Sequence, residues 1–168
     1  MPAVFIITGA AYNPVGGPCF TTKGIDKTDF SKEDFAMENS GILFGTAYYE
    51  EYLPYDRLEE DMRMMTEAGF NTIRIGESTW SVEEPCPGEY DFSHIDRVIN
   101  AAAKHGLNVI VGTPTYAVPH WLVQLDPDVM VTTKNGRANY GARQNMDITN
   151  PTYRHYAEGV IRAMVSHT

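Results

Sequence analysis

From residue 42 onward the chain alternates between two hydrophobic periods. Ile42-Leu43-Phe44-Gly45-Thr46 is a continuous apolar run, the pattern of a strand buried on both faces. A loop over 47–55 follows and carries Tyr48, Tyr49, Glu50, Glu51 and Tyr52. Leu58, Met62 and Met65, and Met64 with Ala68, then recur at helical spacing. Asp56 stands where an N-cap belongs, with Glu59 three residues on as its capping-box partner, and Gly69 sits where a C′ glycine ends the helix. The pattern repeats. Residues 70–75 read as a second strand and 76–92 as a second long loop. A helix starting near Ser93 shows Ile95, Val98, Ile99 and Ala102 on one face and stops at Gly106. Residues 107–112 read as a third strand. A connection over 113–150 leads to a last helix with Asn150 as N-cap, Pro151 at its first position, and the stripe Tyr153, Ala157, Val160, Ile161 and Met164.

The order is therefore β-loop-α three times, which predicts an α/β fold with three adjacent parallel strands, right-handed crossovers and helices on one side. The helix-to-strand connections are barely longer than Gly69 or Gly106, whereas every strand-to-helix connection is long. In an α/β barrel those long loops form the functional face. A doubly wound sheet fits less well, because no glycine-rich phosphate turn follows the first strand. The connection over 113–150 is rich in aromatic and turn residues. A structureless loop of that length inside a compact domain is uncommon and usually functional, so it reads as a binding loop on a rigid scaffold. Residues 1–40 read as an N-terminal extension whose order the pattern does not set, and 41–168 as the domain. Within the extension, residues 4–8 have strand character and could cover one sheet edge. Asn13-Pro14, Gly16-Gly17-Pro18 and Asn39-Ser40-Gly41 are turn signals. Gly9-Ala10-Ala11-Tyr12 lacks the glycine spacing and the lysine of a phosphate loop.

Composition narrows the classes further. The 168 residues suffice for one domain and core, and 43% hydrophobic with 21% charged residues is ordinary globular usage. A net charge of −9 argues against nucleic acid and anionic membrane surfaces as partners. No apolar run reaches the roughly 18 residues of a membrane span. The start of the chain has no basic residues before a short apolar stretch, which predicts a cytoplasmic protein rather than a secreted one. Cys19 and Cys86 form neither a disulfide framework nor a metal pattern and read as reduced thiols. No cofactor is expected.

The long loops collect carboxylates, amides and aromatics, a lining that suits a sugar with apolar ring faces and hydroxyls. Glu77, just past the second strand, reads either as a functional carboxylate or as a partner of Arg74. Glu83-Glu84-Pro85 reads as a loop-fixing element. Trp80 and Trp121 are packing anchors more often than sugar platforms. His120 has no partner at metal-ligand spacing. Arg143 is the sharpest substrate-binding candidate, since its planar fork of donors suits hydroxyl or carboxylate recognition; the alternative is a surface salt bridge. Arg143 is expected on the same face as Glu77 and Tyr48.

Several stretches occur in an order that resembles a known family. They are Gly45-Thr46-Ala47-Tyr48-Tyr49-Glu50-Glu51, Asn71-Thr72-Ile73-Arg74-Ile75-Gly76-Glu77-Ser78-Thr79-Trp80-Ser81, Glu84-Pro85, Gly88-Glu89-Tyr90-Asp91-Phe92, Gly112-Thr113-Pro114-Thr115 and Pro119-His120-Trp121-Leu122. Together they resemble the start of glycoside hydrolase family 42, the β-galactosidases, over residues 42 to about 165. The resemblance implies the first three β/α units of a (β/α)8 TIM barrel, and a retaining mechanism with two carboxyl groups flanking the galactosidic bond. It places the acid/base in an Asn-Glu pair after the fourth barrel strand and the nucleophile near the seventh. Both positions then lie beyond Thr168, so no catalytic residue is expected in this chain, which would be inactive alone. The resemblance carries Arg143, in Gly141-Ala142-Arg143, onto the arginine that binds galactose beside the cleaved bond. Gln144, Asn145, Met146 and Asp147 stand where some members carry a zinc-binding cysteine, so no metal is expected. The partner implied is a galactoside or other carbohydrate. Open sheet edges would favour self-association. The alternatives are a non-catalytic carbohydrate-binding or interaction module and another TIM-barrel glycosidase.

Overall fold

The structure, a computed structural model, describes the backbone of Val4–Ile7 together with residues 42–141 and 145–168. Its elements in chain order are strand β1 (Val4–Ile7), strand β2 (Gly45–Ala47), helix α1 (Leu58–Glu67), strand β3 (Thr72–Ile75), the short helix α2 (Trp80–Glu83), helix α3 (Ser93–Lys104), strand β4 (Asn108–Gly112), helix α4 (His120–Leu125), the hairpin strands β5 (Thr132–Thr133) and β6 (Gly136–Arg137), and helix α5 (Pro151–His167). Strands β2, β3 and β4 are adjacent and parallel: Gly45 lies opposite Thr72, Thr72 opposite Asn108, and Ile75 opposite Val111. The repeated β-loop-α pattern thus forms the sheet it predicts. Strand β1 pairs in parallel with the far edge of β4, giving the order β1-β4-β3-β2. The turn signals at Asn13-Pro14, Gly16-Gly17-Pro18 and Asn39-Ser40-Gly41, and Cys19, lie outside the described residues.

Alternation along the strands builds the core. Ile73, Ile75, Val109 and Val111 point to one face, none more than 1% exposed. They pack against Leu58 and Met62 of α1 and Ile95, Val98 and Ala102 of α3, with Met164 of α5 joining them. Opposite registers on the other face hold Arg74 and Ile110, and Thr72 and Asn108. Arg74 is exposed there and Ile110 half-buried. A closed barrel turns that face inward.

Three helix ends follow the local chemistry read from the sequence and the start of α1 does not. Gly69 at φ 83° and Gly106 at φ 71° turn the chain out of α1 and α3 in the left-handed region open to glycine. Asn150 caps α5, its Oδ1 accepting the amide N–H of Tyr153 at 2.9 Å. The capping box expected at α1 does not form. Arg57 occupies the cap position, Asp56 accepts the Leu58 N–H from one residue further out at 3.2 Å, and Glu59 turns away to accept from Lys104 Nζ at 2.8 Å.

Three further expectations are corrected. The apolar run over 42–46 is not buried on both faces: Leu43, Phe44 and all of β2 are exposed, because β2 is the outer strand of the sheet. Met64 is 48% exposed while Met62 is fully buried, since only the Leu58–Met62 side of α1 meets the sheet. The stretch over 113–150 is not structureless. It contains α4, the β5–β6 hairpin and a bridge between Met130 and Met146. Its Leu122, Val129 and Met130 join Trp80, Tyr153, Ala157 and Val160 in a second apolar cluster.

Candidate functional site

Parallel strands deliver their carboxyl ends to one edge of the sheet, and the residues that follow β2, β3 and β4 meet there. Gly76, at φ 79°, turns the chain out of β3 so that Glu77 lies over the end of β4. A Cβ at Gly112 would sit 2.9 Å from the Cβ of Glu77, so glycine at the end of β4 makes the room for that carboxylate. The Glu77 side chain is 16% exposed, and both oxygens are engaged. Tyr49 Oη donates to Oε1, and the Arg74 guanidinium pairs with Oε2. Glu77 is therefore the partner of Arg74, held as a fixed negative charge between a phenol and a guanidinium. Tyr48 does not share this cluster. It is 8% exposed, and its Oη donates to Asp61 Oδ2 of α1 at 3.2 Å. Successive side chains leave an extended backbone on opposite sides, so Tyr48 enters the core and Tyr49 reaches Glu77.

The loop after β3 is built around two glutamates. Glu84 Oε2 accepts from Trp80 Nε1 at 2.7 Å, Oε1 accepts from the Gly88 N–H at 2.8 Å, and its backbone carbonyl accepts from Trp121 Nε1 at 2.8 Å. Glu84 thus fixes the loop, as its sequence context suggested. Trp80 is fully buried edge-on to Tyr153, and Trp121 lies edge-on to Tyr156 with centroids 5.0 Å apart; both are packing anchors. Glu83 is also fully buried. Burial, together with the nearby charge of Glu51, raises its pKa from 4.5 to about 8, against the lowering effect of its bond to Thr79. The geometry agrees. Thr79 Oγ1 lies 2.5 Å from Glu83 Oε1 and 3.1 Å from the Gly76 carbonyl oxygen. One hydroxyl hydrogen cannot serve two acceptors. A protonated Glu83 donating to Thr79, which donates to Gly76, satisfies both contacts. No pattern in the sequence marks Glu83 as buried; only the packing of α2 does.

The loop after β2 is tied to α3. Glu50 Oε1 lies 3.0 Å from His94 Nδ1 and 3.3 Å from Arg97 Nη1. His120 packs edge-on to Tyr140 with centroids 5.2 Å apart. Among the described residues, no three His, Cys, Asp or Glu side chains gather as a metal site, and no helix is long and apolar enough to cross a membrane. Arg143 lies outside the described residues, as do Ala142 and Gln144. The chain is described up to Gly141 and again from Asn145, whose carbonyl accepts from the Val131 N–H at 2.7 Å.

Comparison with known proteins matches this architecture. The family of glycoside hydrolase 42 β-galactosidases matches residues 47–167. A β-galactosidase of Thermus thermophilus is 38% identical over 120 residues, covering 71% of this chain and 19% of that protein. The β-galactosidase BbgII of Bifidobacterium bifidum is 33% identical over 129 residues, covering 76% and 19%. Among solved structures, the β-galactosidase of Rahnella sp. R3 superposes with a TM-score of 0.72 at 30% identity, covering 78% of this chain and 20% of that one. That of the psychrophilic Marinomonas ef1 superposes with a TM-score of 0.68 at 33% identity, covering 73% and 19%. The chain thus spans about a fifth of the length of these relatives. Over that span its three parallel β/α units form part of their TIM barrel, and the chain belongs to the glycoside hydrolase family 42 β-galactosidases.

Proposed function

We propose that residues 42–168 are the opening units of the catalytic barrel of a retaining β-galactosidase that releases terminal β-galactose. The observation that carries this reading is the family match across all three β/α units, whose strand ends bring Tyr49, Arg74 and Glu77 together. A retaining glycosidase needs two carboxyl groups roughly 5–5.5 Å apart, one free to attack and one to donate a proton. The carboxylates built into the loop after β3 are already engaged: Glu77 with Arg74 and Tyr49, Glu83 with Thr79, and Glu84 with Trp80 and Gly88. They support the substrate end of the barrel, and the reacting pair comes from the fourth and seventh strands of a complete barrel. Arg143 supplies the donors that hold galactose beside the cleaved bond.

A chimera tests this. Residues 47–167 replace the matching segment of the Thermus thermophilus β-galactosidase, and the product is assayed on chromogenic β-galactoside and β-glucoside. Turnover that favours the galactoside is expected. A folded chimera that turns over neither substrate, or favours the glucoside, overturns the reading.

A further inference from the structure

We propose that β1 is an intramolecular stand-in for the fourth strand of the barrel, so that β1 pairing and barrel closure exclude one another. The inference rests on the chain being the first three units of a (β/α)8 barrel. In such a barrel the sheet order follows the chain order, and each new strand pairs in parallel on the free edge of the one before. The strand that follows α5 in a barrel must therefore pair with β4, on the edge away from β3. That edge is taken. Val4 lies opposite Val109, Phe5 opposite Ile110, Ile6 opposite Val111 and Ile7 opposite Gly112. The direction is parallel, as the barrel requires, and the register covers four of the five residues of β4. β1 enters the sheet out of chain order, beside the third of the repeated strands rather than the first.

There is a physical reason for such a strand. Asn108–Gly112 is an apolar strand with two buried valines, and a bare edge of that kind templates pairing with other chains. The opposite edge, β2, is only three residues long and contains glycine, and short edge strands template poorly. β1 thus covers the β4 edge and becomes the outer strand of the sheet in its place. A strand bonded only along one side can be displaced by another of the same polarity, which is the logic of strand addition.

Backbone hydrogen exchange tests the proposal in two proteins. In the 168-residue chain, residues 4–7 and the β4 amides facing them should be protected, and Phe5→Pro and Ile6→Pro should each be compared with it. Proline removes a donor, and one of these two consecutive positions faces β4. That variant should lose at least about tenfold protection at residues 4–7 and along β4, with α1 and α3 unchanged. The second protein is the full chain continued by the Thermus thermophilus β-galactosidase from its fourth strand onward. There residues 4–7 should be unprotected while β4 stays protected. Protection of residues 4–7 in both proteins overturns the exclusion. Unchanged β4 exchange in both proline variants, or loss of protection throughout α1 and α3, overturns the displaceable strand. These readouts do not depend on catalysis, so they stand apart from the outcome of the chimera assay.

Discussion

Glu83 ties the stability of the fold to pH through its burial. Its folded-state pKa near 8 lies above the ordinary value of 4.5, so between those pH values the folded chain holds a proton that the unfolded chain has lost. Stability from this group is complete below about pH 4.5 and is lost as pH rises through about 8. Each pKa unit corresponds to about 1.4 kcal/mol, which sets an upper bound of about 5 kcal/mol. Urea unfolding at about pH 5 and about pH 9 should show wild type weaker at the higher pH, with Glu83→Gln flattening the difference. An equal slope in wild type and variant would show that Glu83 ionises without penalty. Arg143 makes its prediction at the same scale. In a complete family 42 enzyme, replacing the matching arginine by alanine should cut catalytic efficiency by about 10–100-fold, the worth of hydrogen bonds from a charged donor. Near-normal turnover would make it a structural residue. The Arg74–Glu77 contact was legible because the two stand three residues apart at a strand end. The burial of Glu83 was not, because Val82 beside it is exposed and the α2 sequence has no periodicity to read.

The cap of α5 and the glycine stops were the most legible features of the elements, since each depends on neighbours a few residues away, while the order of β2, β3 and β4 was legible from the repeated β-loop-α pattern. Asn150 followed by Pro151 predicted the start of α5, and the bond to the Tyr153 N–H confirms its cause. Asn150→Ala should therefore cost about 1 kcal/mol of stability, while Asn150→Asp or Asn150→Ser should cost little. The check is a denaturant midpoint for each variant, and equal midpoints for all three would assign the start of α5 to Pro151 and tertiary packing. Features that depend on partners far along the chain were harder to read. The exposure of Leu43 and Phe44 follows from β2 lying at the sheet edge, which an apolar run cannot announce. The interior of 113–150 organises around Trp80 and Tyr153, residues from α2 and α5, so its apolar positions have no period of their own. Glu59 was drawn from its capping role by Lys104, 45 residues away.

At the scale of the molecule, the sheet has the strands of a barrel opening but not the closure that defines a barrel. Its open face carries the exposed Arg74 and half-buried Ile110, which a complete barrel would enclose. A ligand lying against the strand ends would meet Tyr49 and Glu77 on one side and water on the other. Water competes for every hydrogen bond that would otherwise develop with the transition state, and the preorganised, water-excluded setting of a glycosidase is lost. The carboxylates are equally limiting. Glu77 is neutralised by Arg74, whereas a nucleophile must present an uncommitted oxygen to the anomeric carbon. Glu83 holds a proton but is fully buried and cannot reach a leaving group in solvent. Residues 1–168 alone should therefore show no hydrolysis of a chromogenic β-galactoside when purified from a galactosidase-deficient host. Turnover that co-purifies with the chain and disappears in Glu77→Gln would place the chemistry at the Arg74–Glu77–Tyr49 cluster and refute the assignment of the catalytic pair to later strands. Turnover that survives Glu77→Gln but disappears in Glu83→Gln would place the acid in the buried loop.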